Sequence, residues 1–310
     1  MSAVPAPRRL RLGTRGSGLA LAQTEAVASL LRALSPTLEL DRCVVRTGGD
    51  ADRQTPLPEI GGAGVFTAEL ERALVRGEID IAVHSLKDLP LTSAAGVVTA
   101  ALCARTDPRD VLVTRDGTTL ETLRPGSVVG TSSARRTAQL LAARPDLLVG
   151  SIRGNVDTRI EKVMAGDYDA AILAAAGIIR LGLEDRISEF LSLDAFVPAA
   201  GQAALAVQCR SDDYEVRTLV AGLDDADVRA CTGAERAFLA GLGGGCSLPV
   251  GAIARVADAG LDMDGWIGSV DGARSIRVHG QCGRDVEAAN ELGRTLALDA
   301  LSAGAGELLA

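Results

Sequence analysis

The sequence predicts an α/β fold in which two domains of similar build are followed by a small α+β domain. Three observations lead there. The chain has 310 residues, 47% of them hydrophobic, which is enough for several cores and for more than one domain of ordinary size. Aromatic residues make up only 2%, so Ala, Val, Leu and Ile must fill those cores, a composition suited to parallel sheets covered by helices. The strand, turn and helix pattern that opens the chain also starts again near residue 127.

Residues 8–14 (RLRLGTR) read as a strand, after which Leu19, Ala22, Ala26, Leu30 and Leu34 recur at helical spacing. Residues 39–46 read as a second strand, and a helix from about Thr67 to Val75 leads into the buried strand IDIAVHS at 79–85. This alternation implies a parallel sheet. From residue 127 the grammar repeats, with SVVGTSS as strand and turn and ARRTAQLLAA as the helix. The strands LLVGSIR and DAAILAA continue it, separated by a helix from about Val156 to Ala165 with Asn155 as its expected cap. From Leu261 the pattern changes to alternating strands, LDMDGWIGSV and RSIRVHGQ, and ends in an Ala- and Leu-rich helix.

The two halves match in detail. Gly13-Thr14 and Gly130-Thr131 each close a first strand, and serines follow at Ser17 and at Ser132 and Ser133. Backbone N–H groups at a helix start together with hydroxyls suit an anion; ordinary capping by serine reads equally well for either turn alone.

A formal net charge of −8 opposes any general attraction to nucleic acid or anionic lipid. Against that background Arg135, Arg136, Arg144, Arg153 and Arg159 crowd into a stretch whose only acids are Asp146 and Asp157, a local anion site. The six cysteines lack metal-site or disulfide-framework spacing and read as reduced thiols in a cytosol. No metal site is expected. The start, MSAVPAPRR, has no apolar core, and the longest apolar run, Ala170 to Ile179, falls short of the roughly 20 residues of a membrane helix.

Three groups of residues carry possible chemistry. The segment from His84 to Pro90 follows a very apolar strand, so Lys87 and Asp88 emerge at the carboxyl end, where parallel-sheet enzymes gather ligands; a solvated loop with a local ion pair is the competing reading, and His84 reads as a core histidine. Arg135, Arg136, Arg153 and Arg159 fall at turns or early helix positions, where guanidinium forks grip carboxylates. Cys246 follows the glycine run of GLGGGCSLPV, whose N–H groups lower a thiol pKa and whose lack of side chains admits a bulky partner. From the residues alone, a non-catalytic binder of an organic anion remains a rival to an enzyme, as does a phosphate-handling transferase, although no P-loop lysine is present.

At these residues the chain resembles the porphobilinogen deaminase (hydroxymethylbilane synthase) family along almost its whole length. LGTRGSGLALAQ, DIAVHSLKDLP, DPRDVLV, VGTSSARR, RPDL, SIRGNVDTR, AAAGIIRLGL, PAAGQAAL and GGGCSLPVG occur in the family's order. The resemblance implies two domains similar to type II periplasmic binding proteins plus a C-terminal α+β domain, divided as 1–104 with 200–222, 105–199, and 223–310. It implies a monomeric cytoplasmic transferase that joins four porphobilinogen molecules head to tail, with loss of ammonia, on a dipyrromethane cofactor held by Cys246 through a thioether.

Loss of ammonia leaves an electron-poor azafulvene that the free α-carbon of the terminal pyrrole attacks, so the resemblance makes Asp88 the catalytic anion beside pyrrole N–H groups. Each ring bears an acetate and a propionate, which calls for fixed cations. Lys87, Thr131, Ser132, Ser133, Arg135, Arg136 and Arg159 match the family's cofactor-binding positions, and Arg15, Ser17, Arg153, Arg159, Arg180 and Gln202 its substrate-binding positions. The chain departs from the common pattern at Ala63, where many members carry lysine, at Gly18, where proline is frequent, and at Ala203, where glycine is frequent.

Overall fold

The computed structural model describes residues 9–45, 67–245 and 248–309. It divides into two compact units, residues 1–104 with 205–225, and residues 105–204 with 226–310. The first unit begins with β1 (Arg9–Thr14), α1 (Gly18–Leu34), β2 (Glu39–Val44), α2 (Ala68–Val75) and β3 (Ile81–Ser85), followed by a single 3₁₀ turn at Leu86–Asp88 and β4 (Val97–Cys103). The second contains β5 (Asp110–Thr114), β6 (Val128–Gly130), α3 (Ala134–Ala143), β7 (Leu148–Gly150), α4 (Val156–Ala165), β8 (Ala170–Ala174), α5 (Ala175–Arg180) and β9 (Glu189–Phe190). The chain then returns to the first unit as β10 (Leu205–Arg210) and α6 (Tyr214–Ala221). It finishes in the second unit as α7 (Ala226–Gly241), β11 (Val250–Ala257), β12 (Gly260–Gly268), β13 (Ser275–Cys282), α8 (Val286–Ser302) and α9 (Ala305–Leu309).

The two five-stranded sheets arrange their strands alike, although the fourth strand in each order comes last along the chain in the first sheet (β10) and first in the second (β5). One runs β2-β1-β3-β10-β4 and the other β7-β6-β8-β5-β9. They are mixed rather than wholly parallel: β10 is antiparallel to β3 and β4, and β5 is antiparallel to β8 and β9. In each sheet the reversed strand is the one the chain forms just after changing units. Such strands are short apolar runs, and periodicity alone does not reveal their partners.

The repeat extends to single contacts. The Arg11 N–H donates to the Asp80 carboxylate at 2.8 Å while the Asp80 N–H returns to the Arg11 carbonyl at 2.9 Å. In the second sheet the Val128 N–H donates to Asp169 at 2.7 Å and the Asp169 N–H to the Val128 carbonyl at 3.0 Å. Gly13 and Gly130 have a steric reason: a Cβ on Gly13 would lie 2.2 Å from Ile79 Cδ1, and one on Gly130 would lie 3.0 Å from Ile152 Cδ1.

Aliphatic packing fills the cores, as the composition predicts. In the first unit Leu10, Leu12, Ile81, Val83, Leu205 and Val207 pack against Val27, Ala28 and Leu31 of α1. The C-terminal sheet, β11-β12-β13, is antiparallel, and Met263 and Ile267 share a core with Phe238 of α7 and Leu296 of α8. Ile253 and Trp266 share another with Ala138 and Val197. Asn155 occupies the cap position of α4, but its side chain makes no capping hydrogen bond.

Candidate active site

In the first unit, Arg15 and Ser17 occupy the turn between β1 and α1. The Ser17 hydroxyl caps α1 by accepting the Ala20 N–H at 3.3 Å, and buried Thr14 donates its hydroxyl to the Ala20 carbonyl at 3.1 Å. Adjacent, parallel β1 and β3 end at the same edge of the sheet, and β3 runs directly into the Leu86–Asp88 turn. Buried Leu86 pins that turn while Lys87 is half-buried and Asp88 exposed, and Gln23 of α1 donates to the Ser85 hydroxyl at 2.7 Å. His84 lies in the core, where burial, helped by the charge of Arg15, pushes its pKa down from 6.5 to about 4. It is therefore neutral at ordinary pH.

In the second unit the matching turn follows β6. Thr131 is buried and its N–H donates to the Gly150 carbonyl at 2.9 Å. Ser132 is exposed and donates to the Ile152 carbonyl at 2.7 Å. Ser133 caps α3, accepting the Arg136 N–H at 3.5 Å. Beyond β7, Arg153 is half-buried, and its Nη1 is buried with no acceptor among the described residues. Arg159 donates through Nε to the Gly154 carbonyl at 2.8 Å, and Arg180 through Nη2 to the Ala203 carbonyl at 2.6 Å.

Arg135 and Arg136 lie on the first turn of α3, as expected, but the carboxylate they grip is one of the protein's own. Both are buried, and both grip Asp110, which lies 25 and 26 positions upstream, at 2.8 Å and 2.7 Å. Arg135 Nη1 also donates to the Val197 carbonyl at 2.7 Å and Arg136 Nη1 to the Ile172 carbonyl at 3.2 Å. Gln202, fully buried, donates to the same Asp110 Oδ1 at 2.9 Å and to the Pro108 carbonyl at 2.7 Å. Burial pushes the Asp110 carboxyl up, but the charges and hydrogen bonds of Arg135 and Arg136 outweigh it and hold the group well below the usual carboxylate range. Arg136 Nε is buried without an acceptor among the described residues. Arg144 leaves the expected anion site altogether: it pairs with Asp146 at 2.6 Å and donates to the carbonyls of Glu121 and Leu123.

Asp110 is the residue that sequence reasoning missed. Its signal was an aspartate heading the otherwise apolar strand DVLVT, every position of which is buried. Cys246 and Ala63 lie outside the described residues. The glycines leading to Cys246 are described: Gly243, Gly244 and Gly245 have φ of 93°, 65° and 131°, values that L side chains rarely adopt.

Sequence comparison supplies the family. A family model described as porphobilinogen deaminase, dipyromethane cofactor binding domain, matches residues 10–218, and its C-terminal domain model matches residues 229–302. The chain belongs to the porphobilinogen deaminase family. Relatives bearing that name include those of Desulforudis audaxviator, 46% identical over 98% of this chain and 97% of the relative, and Roseiflexus castenholzii, 47% identical over 97% and 98%. Among solved structures, the periplasmic aliphatic sulphonate binding protein SsuA of Escherichia coli aligns at a TM-score of 0.40 and 15% identity, covering 76% of this chain and 70% of that one. The fold comprises two α/β domains whose five-stranded sheets arrange their strands alike, and a small α+β C-terminal domain. The protein is a transferase of tetrapyrrole biosynthesis that polymerises porphobilinogen to hydroxymethylbilane, and it contains a dipyrromethane-binding domain. Among the described residues no helix is long and apolar enough to cross a membrane.

Proposed function

We propose that Cys246 carries the dipyrromethane through a thioether, that Asp88 is the catalytic carboxylate, and that the arginines of the second unit hold the acidic arms. The observation that carries this reading is the under-neutralised cation cluster. One buried carboxylate faces two buried guanidiniums, and Arg136 Nε and Arg153 Nη1 are buried donors lacking an acceptor among the described residues. Buried N–H groups strongly favour a partner, and carboxylate arms supply the planar acceptors that guanidinium forks match. The residues present therefore fit a polycarboxylate group.

When bound, the dipyrromethane supplies a primer with a free pyrrole α-carbon to which incoming monomers join. Thr131, Ser132, Ser133, Arg135, Arg136, Arg159 and Lys87 would hold it, while Arg15, Ser17, Arg153, Arg159, Arg180 and Gln202 would hold porphobilinogen. Asp88 accepts the pyrrole N–H of the substrate and stabilises the positive charge that develops as ammonia leaves. Its position at the end of an apolar strand, on a turn pinned by Leu86, keeps that carboxylate close to the edge where Arg15 and Ser17 lie. Cys209 is a poor candidate for attachment, because burial pushes its thiol up to about 11 and thiolate is the reactive form.

The same proposal includes a three-part division, 1–104 with 200–222, 105–199, and 223–310, and action as a cytoplasmic monomer; the net charge of −8 supports the lack of a nucleic-acid partner. Intact-protein mass provides the test. The purified chain is expected to carry two linked pyrrole units, and Cys246→Ser none; an adduct that persists in Cys246→Ser overturns the attachment. Asp88→Ala is expected to retain the adduct and lose about 100-fold or more in turnover, and near-normal product formation would refute its role.

A further inference from the structure

The cluster around Asp110 contains more than a structural ion pair requires. A carboxylate serving stability alone is expected in a charge-balanced, saturated group, because an uncompensated buried charge is strongly unfavourable. Here Asp110, with no exposed surface, meets two guanidiniums from consecutive positions of α3, so one positive charge is left over. The leftover charge is accompanied by a buried donor, Arg136 Nε, with no acceptor among the described residues. The same Asp110 Oδ1 also receives Gln202, whose neighbour Ala203 has φ 74° and gives its carbonyl to Arg180 at 2.6 Å. Four residues matched to the family's ligand-binding positions, Arg135, Arg136, Gln202 and Arg180, are thus joined through one aspartate and one strained backbone position.

We infer that Asp110 is a positioning residue: it fixes the paired guanidiniums of Arg135 and Arg136, and ties them to the Gln202–Ala203 segment, so that acidic pyrrole arms meet a preset fork with one net positive charge. This inference deepens the proposed function and rests on it. Without the carboxylate, two neighbouring cations repel and rotate apart. With it, their orientation is fixed before any ligand arrives, which is the condition for tight binding without a reordering cost. The charges and hydrogen bonds of Arg135 and Arg136 outweigh burial and keep Asp110 ionised throughout the pH range in which proteins work, so the fork does not switch off with pH.

Four measurements on the full chain test it. Wild type incubated with porphobilinogen must make product and carry the adduct; if it does neither, the proposed function fails whatever Asp110 does. Given an active wild type, Asp110→Asn is expected to melt cooperatively, load less than a tenth of the normal adduct, and show a KM for porphobilinogen at least tenfold higher in the fraction that loads. A folded Asp110→Asn with full loading and native KM would overturn the inference. Asp110→Glu keeps the charge and moves it by one methylene, so it separates position from charge: reduced loading supports positioning, and native loading and KM contradict it. If neither variant folds, the guanidinium nitrogen resonances of Arg135 and Arg136 in Cys246→Ser decide. Restricted rotation about the Nε–Cζ bond before any ligand is added supports the preset fork, and free rotation overturns it.

Discussion

His84 is an imidazole held in an apolar strand with its pKa pushed down to about 4. Between that value and the 6.5 of an unfolded histidine, the unfolded chain takes up a proton that the folded chain refuses. Stability is therefore unaffected above about pH 6.5 and falls as pH drops toward 4, by up to about 3 kcal/mol. Urea unfolding of the first unit followed across that window should show the slope in wild type and a flatter one in His84→Gln. Ala203 presents the opposite case, a strain without chemistry. Its φ of 74° costs an L side chain about 1–2 kcal/mol, against about 0.5–1 kcal/mol of extra chain entropy lost by glycine. Ala203→Gly should therefore raise the urea midpoint slightly, and a lower midpoint would refute the strain. The family resemblance implies a common glycine at this position, whereas the reason for it lies in the backbone angle. The clustering of Arg135 and Arg136 is legible in the sequence, but their burial is not, because the compensating acid lies on a distant strand, β5.

Among the elements, α7 carries a carboxylate that holds three segments together. Glu235, fully buried, accepts from Arg105 Nη2 at 2.8 Å and from the backbone N–H groups of Gly201 at 2.7 Å and Ala254 at 2.8 Å. Glu235→Ala would leave a nearly buried guanidinium and two N–H groups unpaired, and should destabilise the second unit by about 3–5 kcal/mol, read as a fall in its thermal midpoint. A loss below about 1 kcal/mol would show that water replaces the carboxylate. The opening strand, turn and helix of each half could be read in advance because apolar spacing and glycine-serine turns are local signals. In contrast, β5, β10 and β11 gave no such signal: their apolar runs fit a strand or a buried helix equally well, and long-range partners decide between them.

At the scale of the molecule, an acidic chain with net charge −8 handles an anionic substrate through a few fixed arginines, so binding must depend on local cations acting against the overall field. Raising salt from about 0.05 to 0.5 M shortens the screening length and should raise KM for porphobilinogen with little change in kcat; a KM indifferent to salt would argue against ionic gripping of the arms. The interleaved sheets have a further consequence, in time rather than in space. β10 is the strand between β3 and β4, yet it is synthesised about a hundred residues after them. On the ribosome the amino-terminal sheet must therefore wait with its middle missing, while the later sheet, whose five strands all lie between residues 110 and 190, already has every strand it needs. Nascent chains stalled with residue 204 just emerged should be cut readily by protease within 1–104 and resist within 105–199, an inverted order in which the sheet begun first is completed after the sheet begun second.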